Sequence, residues 1–215
     1  MSILVTLNIR VYISDMKTSA PKRNYQMKAR AKAKEQTGQA IIAAAVQLWK
    51  DYPLHEITLE QVAEQAGVTV RTVLRRFESK EGLFQASLEQ EAHAVAQQRN
   101  ASIAKDVPTA LQGLLADYEA FGEANIRTLR VEEELPIAHQ ILQKGRQFHR
   151  DWCAQVFADH LPPQGDPDYD IRLMAFYSAT DVYQWKVLRK DFGKSKKATY
   201  QIMHQLVQGL IEQNQ

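Results

Sequence analysis

Between Ile57 and Phe84 the chain reads ITLEQVAEQAGVTVRTVLRRFESKEGLF, and its helix start and stop signals leave the backbone little freedom. Thr58 is an N-cap with Gln61 three residues later, a capping box, and Ile57 and Val62 stand at the staple positions around that helix start. Gly67 falls where the helix must end, because a left-handed residue costs least as glycine. Thr69 then caps a second helix, and Ser79 with Lys80 and Glu81 opens a third. The middle helix is barely two turns long. Val70, Val73, Leu74 and Phe77 form its apolar stripe, and Arg71, Thr72, Arg75 and Arg76 take the opposite side. So short a helix is marginal in water. A packed core must brace it, and its arginines call for an anionic partner.

The charge distribution points the same way. The 215-residue chain carries a net charge of only +2. From Lys17 to Ala86, however, there are twelve Lys/Arg against seven Asp/Glu, whereas from Ser87 onward there are fourteen against seventeen. A basic N-terminal part on a slightly acidic remainder fits a polyanion at one end. Residues 17–34, KTSAPKRNYQMKARAKAK, hold seven Lys/Arg and no acid. They read either as a solvated, disordered tail or as an arm that follows a phosphate backbone. The single cysteine, Cys153, excludes an intramolecular disulfide and fits a reducing, cytoplasmic compartment. No stretch is long and apolar enough for a membrane span. The opening MSILVTLNIRVYI lacks a basic start and is not read as a signal peptide; Met16 is a second candidate start.

Elsewhere the spacing predicts helices throughout. One runs from Gln36 to about Asp51, with Ala40, Ile41, Ala44, Ala45, Leu48 and Trp49 at three- and four-residue steps. Others are expected from Pro108 to about Leu129, over ELPIAHQILQKG to Gly145, over RQFHRDWCAQVFADHL, over IRLMAFYSATDVYQWKVLRKDF to Gly193, and from Lys196 to about Gln213. The expected fold is all-α, about nine helices. Residues 1–35 form a flexible basic arm, 36–84 a helix-turn-helix head, and 85–215 a helical bundle.

The two helices around Gly67 have helix-turn-helix spacing, whose second member enters a major groove about 12 Å wide. Helix N-termini at Thr58 and Ser79 suit phosphates, and Lys80 adds charge there. LEQVAEQAGVTVRTVLRRFESKEGLF moreover resembles the DNA-binding domain of TetR-family transcriptional regulators, tightly over residues 38–84 and loosely through GRQFHRDWCAQVFADHLP and DVYQWKVLRKDFG. The resemblance implies DNA contacts from Thr58, Thr69, Val70, Arg71, Thr72, Leu74, Arg75, Arg76 and Lys80. It also implies a homodimer, usually a repressor. Leu74 and Arg76 stand where the family commonly has Tyr and His, and Arg71 replaces a common Gly. Leu74 can only touch a thymine methyl or pack inward; Arg76 is expected on a phosphate.

One short recognition helix reads too few bases, and a dimer places two of them one duplex turn apart. The last two helices are the candidate interface, through Met174, Tyr177, Asp181, Met203, Leu206, Val207 and Leu210. The middle helices are expected to enclose a pocket for a small-molecule effector. Tyr118, Phe121, His139, Phe148, His149, Trp152, Tyr177 and Trp185 are its candidate lining, although each residue type also serves as ordinary core. No HExxH, CxxC, Walker or dinucleotide motif occurs, so no cofactor, metal or enzymatic role is expected. Cys153, flanked by apolar residues, reads as a buried thiol. Two other readings stay open: an architectural or nucleoid-associated DNA-binding dimer without effector, and a helical-bundle enzyme.

Arg71 and Arg75 can both bond guanine bidentately. Selection from random duplexes should therefore return an operator richer in G·C than a Tyr-bearing recognition helix would choose. A consensus of A·T pairs alone would contradict this.

Overall fold

The structure, a computed structural model, describes residues 20–103 and 106–212. The apolar leader and the first residues of the basic arm lie outside these. The chain divides into two compact units, Met1–Thr37 and Gly38–Gln215. No strand occurs among the described residues.

The first helix, α1, spans Ala20–Asp51 and so begins well before the expected Gln36. Composition explains the difference. Residues 26–35 are Gln, Met, Ala, Lys, Arg and Glu, all strong helix formers. The basic segment is thus helical from Ala20, not a structureless arm. Thr37 ends this unit, its hydroxyl donating to the Ala33 carbonyl at 2.9 Å.

In the second unit, Ile41, Ala44, Ala45, Leu48 and Trp49 of α1 are buried with Val62 and Ala63 of α2 (Leu59–Gln65), Val73 of α3 (Val70–Phe77), and Leu83 and Phe84 of α4 (Lys80–Ile103). The capping box forms as the spacing predicts. Thr58 Oγ1 accepts from the Gln61 amide at 3.2 Å, and the Thr58 amide donates to Gln61 Oε1 at 2.7 Å. Gly67 turns the chain with φ +66°. Thr69 Oγ1 accepts from the Thr72 amide, and Ser79 Oγ from that of Gly82. Between α3 and α4, Glu78 has φ 67°, and the Ser79 amide donates to the Phe77 carbonyl at 2.7 Å. That is a γ-turn, a strained conformation for a residue with a side chain. It lets α4 start so tightly that a Cβ on Gly82 would stand 2.3 Å from the Phe77 carbonyl oxygen.

The remaining helices pack around α5 (Val107–Leu129), which Asp106 caps through the Thr109 amide at 2.6 Å. It contacts α4, α6 (Pro136–Val156), α8 (Val182–Lys186) and α9 (Lys196–Glu212), while α7 (Tyr169–Thr180) packs on α6 and α9. Leu111, Leu114, Trp152, Phe157, Phe176, Met203 and Val207 fill this core, with Phe157 stacked on Phe176 at 4.1 Å between ring centroids.

Two expected boundaries are corrected. Gly145 does not end a helix: α6 runs straight through it, because an exposed glycine inside a helix costs only about 1 kcal/mol. The single helix expected over residues 171–192 is instead broken at Asp181. There the backbone is extended (ψ 157°) and the carboxylate caps α8 by accepting from the Tyr183 amide at 2.9 Å. A π-helical turn, Val187–Asp191, then leads to Gly193 at φ +59°.

Gly122 on α5 faces Trp185 of α8. A Cβ there would lie 2.5 Å from the ring of Trp185, itself fully buried and donating from its indole to Glu119 at 2.8 Å. Gly122→Ala should therefore destabilise the fold by about 1–3 kcal/mol through overpacking, read as a shift in the urea midpoint.

Candidate functional site

Behind α3, Val73 is completely buried; in front, Arg71, Leu74 and Arg75 are exposed. Leu74 faces solvent rather than packing inward. Thr69 and Thr72 share a hydrogen bond between their hydroxyls at 3.0 Å, fixing the first turn. Arg76 differs from the other two arginines. It is half-buried, its guanidinium fills the space over Gly38, where a Cβ would meet Nη2 at 2.0 Å, and it lies 5.9 Å from the Phe77 ring centroid. Arg76 thus lies between α3 and α1, less exposed than Arg71 and Arg75. Thr58 is exposed at the start of α2. Lys80 is half-buried at the start of α4, where desolvation lowers its ammonium pKa against the opposing pull of Glu81.

A second feature is a cavity of about 270 Å³. Its wall is largely apolar, including Trp49, Leu88, Phe121, Leu129, Ile141 and Phe148. Of the expected lining, Tyr118, Phe121, Phe148, His149 and Tyr177 are present. The other three stand elsewhere: His139 is exposed and pairs with Glu132 at 3.3 Å, while Trp152 and Trp185 are core.

One part of the wall is polar and holds a buried ion pair. Arg99 Nε donates to Asp117 at 2.6 Å, both side chains being buried, and its guanidinium stacks near Phe148 and Trp152 at 5.1 and 5.6 Å. Burial raises the Asp117 pKa, and Arg99 pulls it back. The Tyr118 hydroxyl donates to the Thr180 carbonyl at 2.9 Å. Thr180 commits its own proton to the Phe176 carbonyl at 2.7 Å, so its oxygen accepts from His149 Nε2 at 3.1 Å. His149 therefore carries its proton on Nε2. Burial, with Arg99 nearby, lowers its pKa to about 3. The Cys153 thiol is pushed up to about 12 by burial, as is the Tyr177 phenol, where Asp181 adds to the effect.

Residues 41–87 match the model of bacterial regulatory proteins of the tetR family. The chain carries a TetR-family DNA-binding head. Its fold is similar to a tetR-family transcriptional regulator from Streptomyces coelicolor (14% identity, 80% of this chain and 79% of that one, TM-score 0.64). It is also similar to a transcriptional regulator from Rhodococcus sp. Rha1 (14%, 81% and 96%, 0.61). A third is NalD of Pseudomonas aeruginosa, the secondary repressor of the MexAB-OprM multidrug efflux pump (22%, 82% and 97%, 0.54). No curated protein matches the chain. No described helix is long and apolar enough to cross a membrane.

In this TetR-type fold the expected interface residues separate into three groups. Met203 and Val207 are buried in the chain's own core, and Tyr177 and Asp181 line the cavity. Leu206 is exposed, with Met174 and Leu210 half-buried. Sequence reasoning missed Ile171, 70% exposed on α7, although it stands three residues before Met174 on the same helix face. It also missed Trp49, Arg99 and Asp117 in the cavity wall. A signal for Asp117 existed: it falls on the apolar stripe of Ala110, Leu114, Tyr118 and Phe121, and a charge on a buried stripe implies a buried partner.

His149 makes a pH prediction. Below pH about 6.5 the unfolded chain protonates this imidazole, whereas the folded chain does not until about 3. Folding stability must then fall as pH drops through that window. Between pH 7 and 5 the wild type should lose about 2 kcal/mol more than His149→Gln in urea unfolding. Equal losses in the two proteins would contradict a buried neutral imidazole.

Proposed function

We propose that the chain is a cytoplasmic, homodimeric repressor that binds a palindromic operator and leaves it when a small molecule enters the cavity. The observation that carries this reading is the α3 face: Arg71, Leu74 and Arg75 held outward by the burial of Val73. In this reading residues 36–84 read DNA. Arg71 and Arg75 bond base edges, Leu74 packs on a thymine methyl, and Thr69, Val70 and Thr72 meet the groove wall. Thr58 and Lys80 take phosphates at the starts of α2 and α4. Residues 85–215 supply effector binding and pairing. The exposed Ile171 and Leu206, with the half-buried Met174 and Leu210 beside them on α7 and α9, form the seam with a second copy.

The cavity gives the switch its position. Trp49 comes from α1 of the head, and Gln85 and Leu88 come from α4, which begins in the head at Lys80 and continues beyond it. A ligand that fits only one arrangement of these helices shifts the population toward it. The wall favours a compact, largely apolar, aromatic molecule. A fold neighbour described as a repressor is in keeping with repression here.

Retention of a duplex recovered by random-site selection tests the reading. Arg71→Glu with Arg75→Glu should weaken binding by about 100-fold or more, since both base-reading guanidinium groups are removed. Leu206→Glu should yield a monomer in sedimentation and lose the palindrome at the same time. Unaltered retention by the first variant, or tight palindrome binding by a monomer, would overturn it.

A further inference from the structure

We propose that the basic start of α1 is a second DNA contact, gripping duplex phosphates beside the site read by α3 without regard to base sequence. The inference rests on the head being a DNA-binding domain. Residues 17–34 hold seven Lys/Arg and no acid. Every described side chain from Tyr25 to Gln36 is exposed, Tyr25 by 76% and Met27 by 61%. At about 100° per residue, Arg30 and Lys34 fall on one side of the helix, and Lys28 and Lys32 on the opposite side. No apolar stripe remains, so the segment has no face for a protein core.

Strong helix formers bring like charges into register. Lys28 and Lys32, four residues apart, repel one another across one turn. A polyanion converts that repulsion into attraction, and each cation that neutralises a phosphate releases a condensed counterion. The duplex already engaged by the head is the polyanion within reach. Lys28 lies 13 residues before Ile41 of the head, a span of no more than about 47 Å even when fully extended. Tethered at that range, the segment meets the same duplex at high effective concentration.

The test uses the full-length chain on two 40-bp duplexes, one bearing the selected operator and one a random-sequence pool. Affinity is measured against salt for the wild type, for Lys28→Gln/Arg30→Gln/Lys32→Gln, and for the charge-conserving Lys28→Arg/Arg30→Lys/Lys32→Arg. The neutralised variant should lower the slope of log K against log salt by about 0.9 for each phosphate it no longer neutralises, up to about 2.7. Both duplexes should weaken in parallel, the operator-to-pool ratio staying within about twofold. The charge-conserving variant should match the wild type. An unchanged slope in a neutralised variant that still holds the operator would overturn the arm contact and leave the head reading intact. A changed operator-to-pool ratio would overturn its indifference to sequence. Failure of the wild type to hold either duplex would overturn both readings. Loss of binding to anionic lipid vesicles, with DNA binding untouched, would reassign the arm to a membrane surface.

Discussion

Val73 is the side chain on which the rest of the head depends. The α3 helix is eight residues long, with three arginines and no acid until Glu78 caps its end. On its own it would unravel, because nucleation consumes most of what so few hydrogen bonds return. Burying Val73 among Ile41, Ala45 and Val62 supplies on the order of 2 kcal/mol. The Thr58 and Thr69 caps fix the two helix starts that set its direction. Arg76 then takes a bracing role, lying over Gly38 on α1. Only two of the three arginines are left to face outward, and their placement follows from the core behind them.

That core does not end at the head. The same buried cluster includes Ala124 of α5 and Ala138 of α6, and α1 finishes against α5. The Trp49 indole donates to Thr128 Oγ1 at 3.0 Å, and Arg127 bonds the carbonyls of Trp49 and Lys50. Carbonyls in the last turn of a helix have no partner within it and favour a cation. Arg127 supplies both needs. Trp49 also stacks on Phe121, with centroids 6.2 Å apart, in the wall of the cavity. On the proposed reading, a ligand resting against Trp49 presses on the helix that braces Arg76 and buries Val73. Any effect on DNA would then travel through packed side chains with few alternative arrangements.

What the sequence made legible was local. Thr58, Gln61, Gly67, Thr69 and Ser79 carry the helix starts and stops within a few residues of themselves, and the structure follows them. Gly145 and Asp181 misled for opposite reasons. A glycine that looks like a stop is tolerated mid-helix when its surface is exposed, while Asp181 breaks an apolar run because its carboxylate can cap the next helix. The cavity wall was half legible. Its aromatics stand on amphipathic stripes, but whether a stripe residue faces a cavity or a neighbouring helix depends on how helices cross, as Trp152 and Trp185 show. The Arg99 and Asp117 pairing joins residues 18 apart on two helices, a distance that no local pattern encodes.

That pair bears on which molecules the cavity can hold. Replacing a buried ion pair by apolar residues is often neutral or favourable for stability, so the pairing is weak evidence of a stabilising role. Its effect on the cavity is clearer. Asp117 cancels Arg99, His149 stays neutral well below physiological pH, and the Tyr118 and Tyr177 phenols hold their protons well above it. The Tyr118 hydroxyl, the Thr180 hydroxyl and His149 Nε2 are already engaged with one another or with backbone. A charged group driven into this end would lose its hydration, and of these three side chains only His149 Nδ1, buried without a hydrogen-bond partner, is open to it. An apolar ring would instead meet Phe148, Phe121 and Trp49. On the proposed reading, selection at this depth therefore works by shape and apolar contact, and any charge on the effector belongs at the mouth, beside Glu89, Lys144 and Arg146.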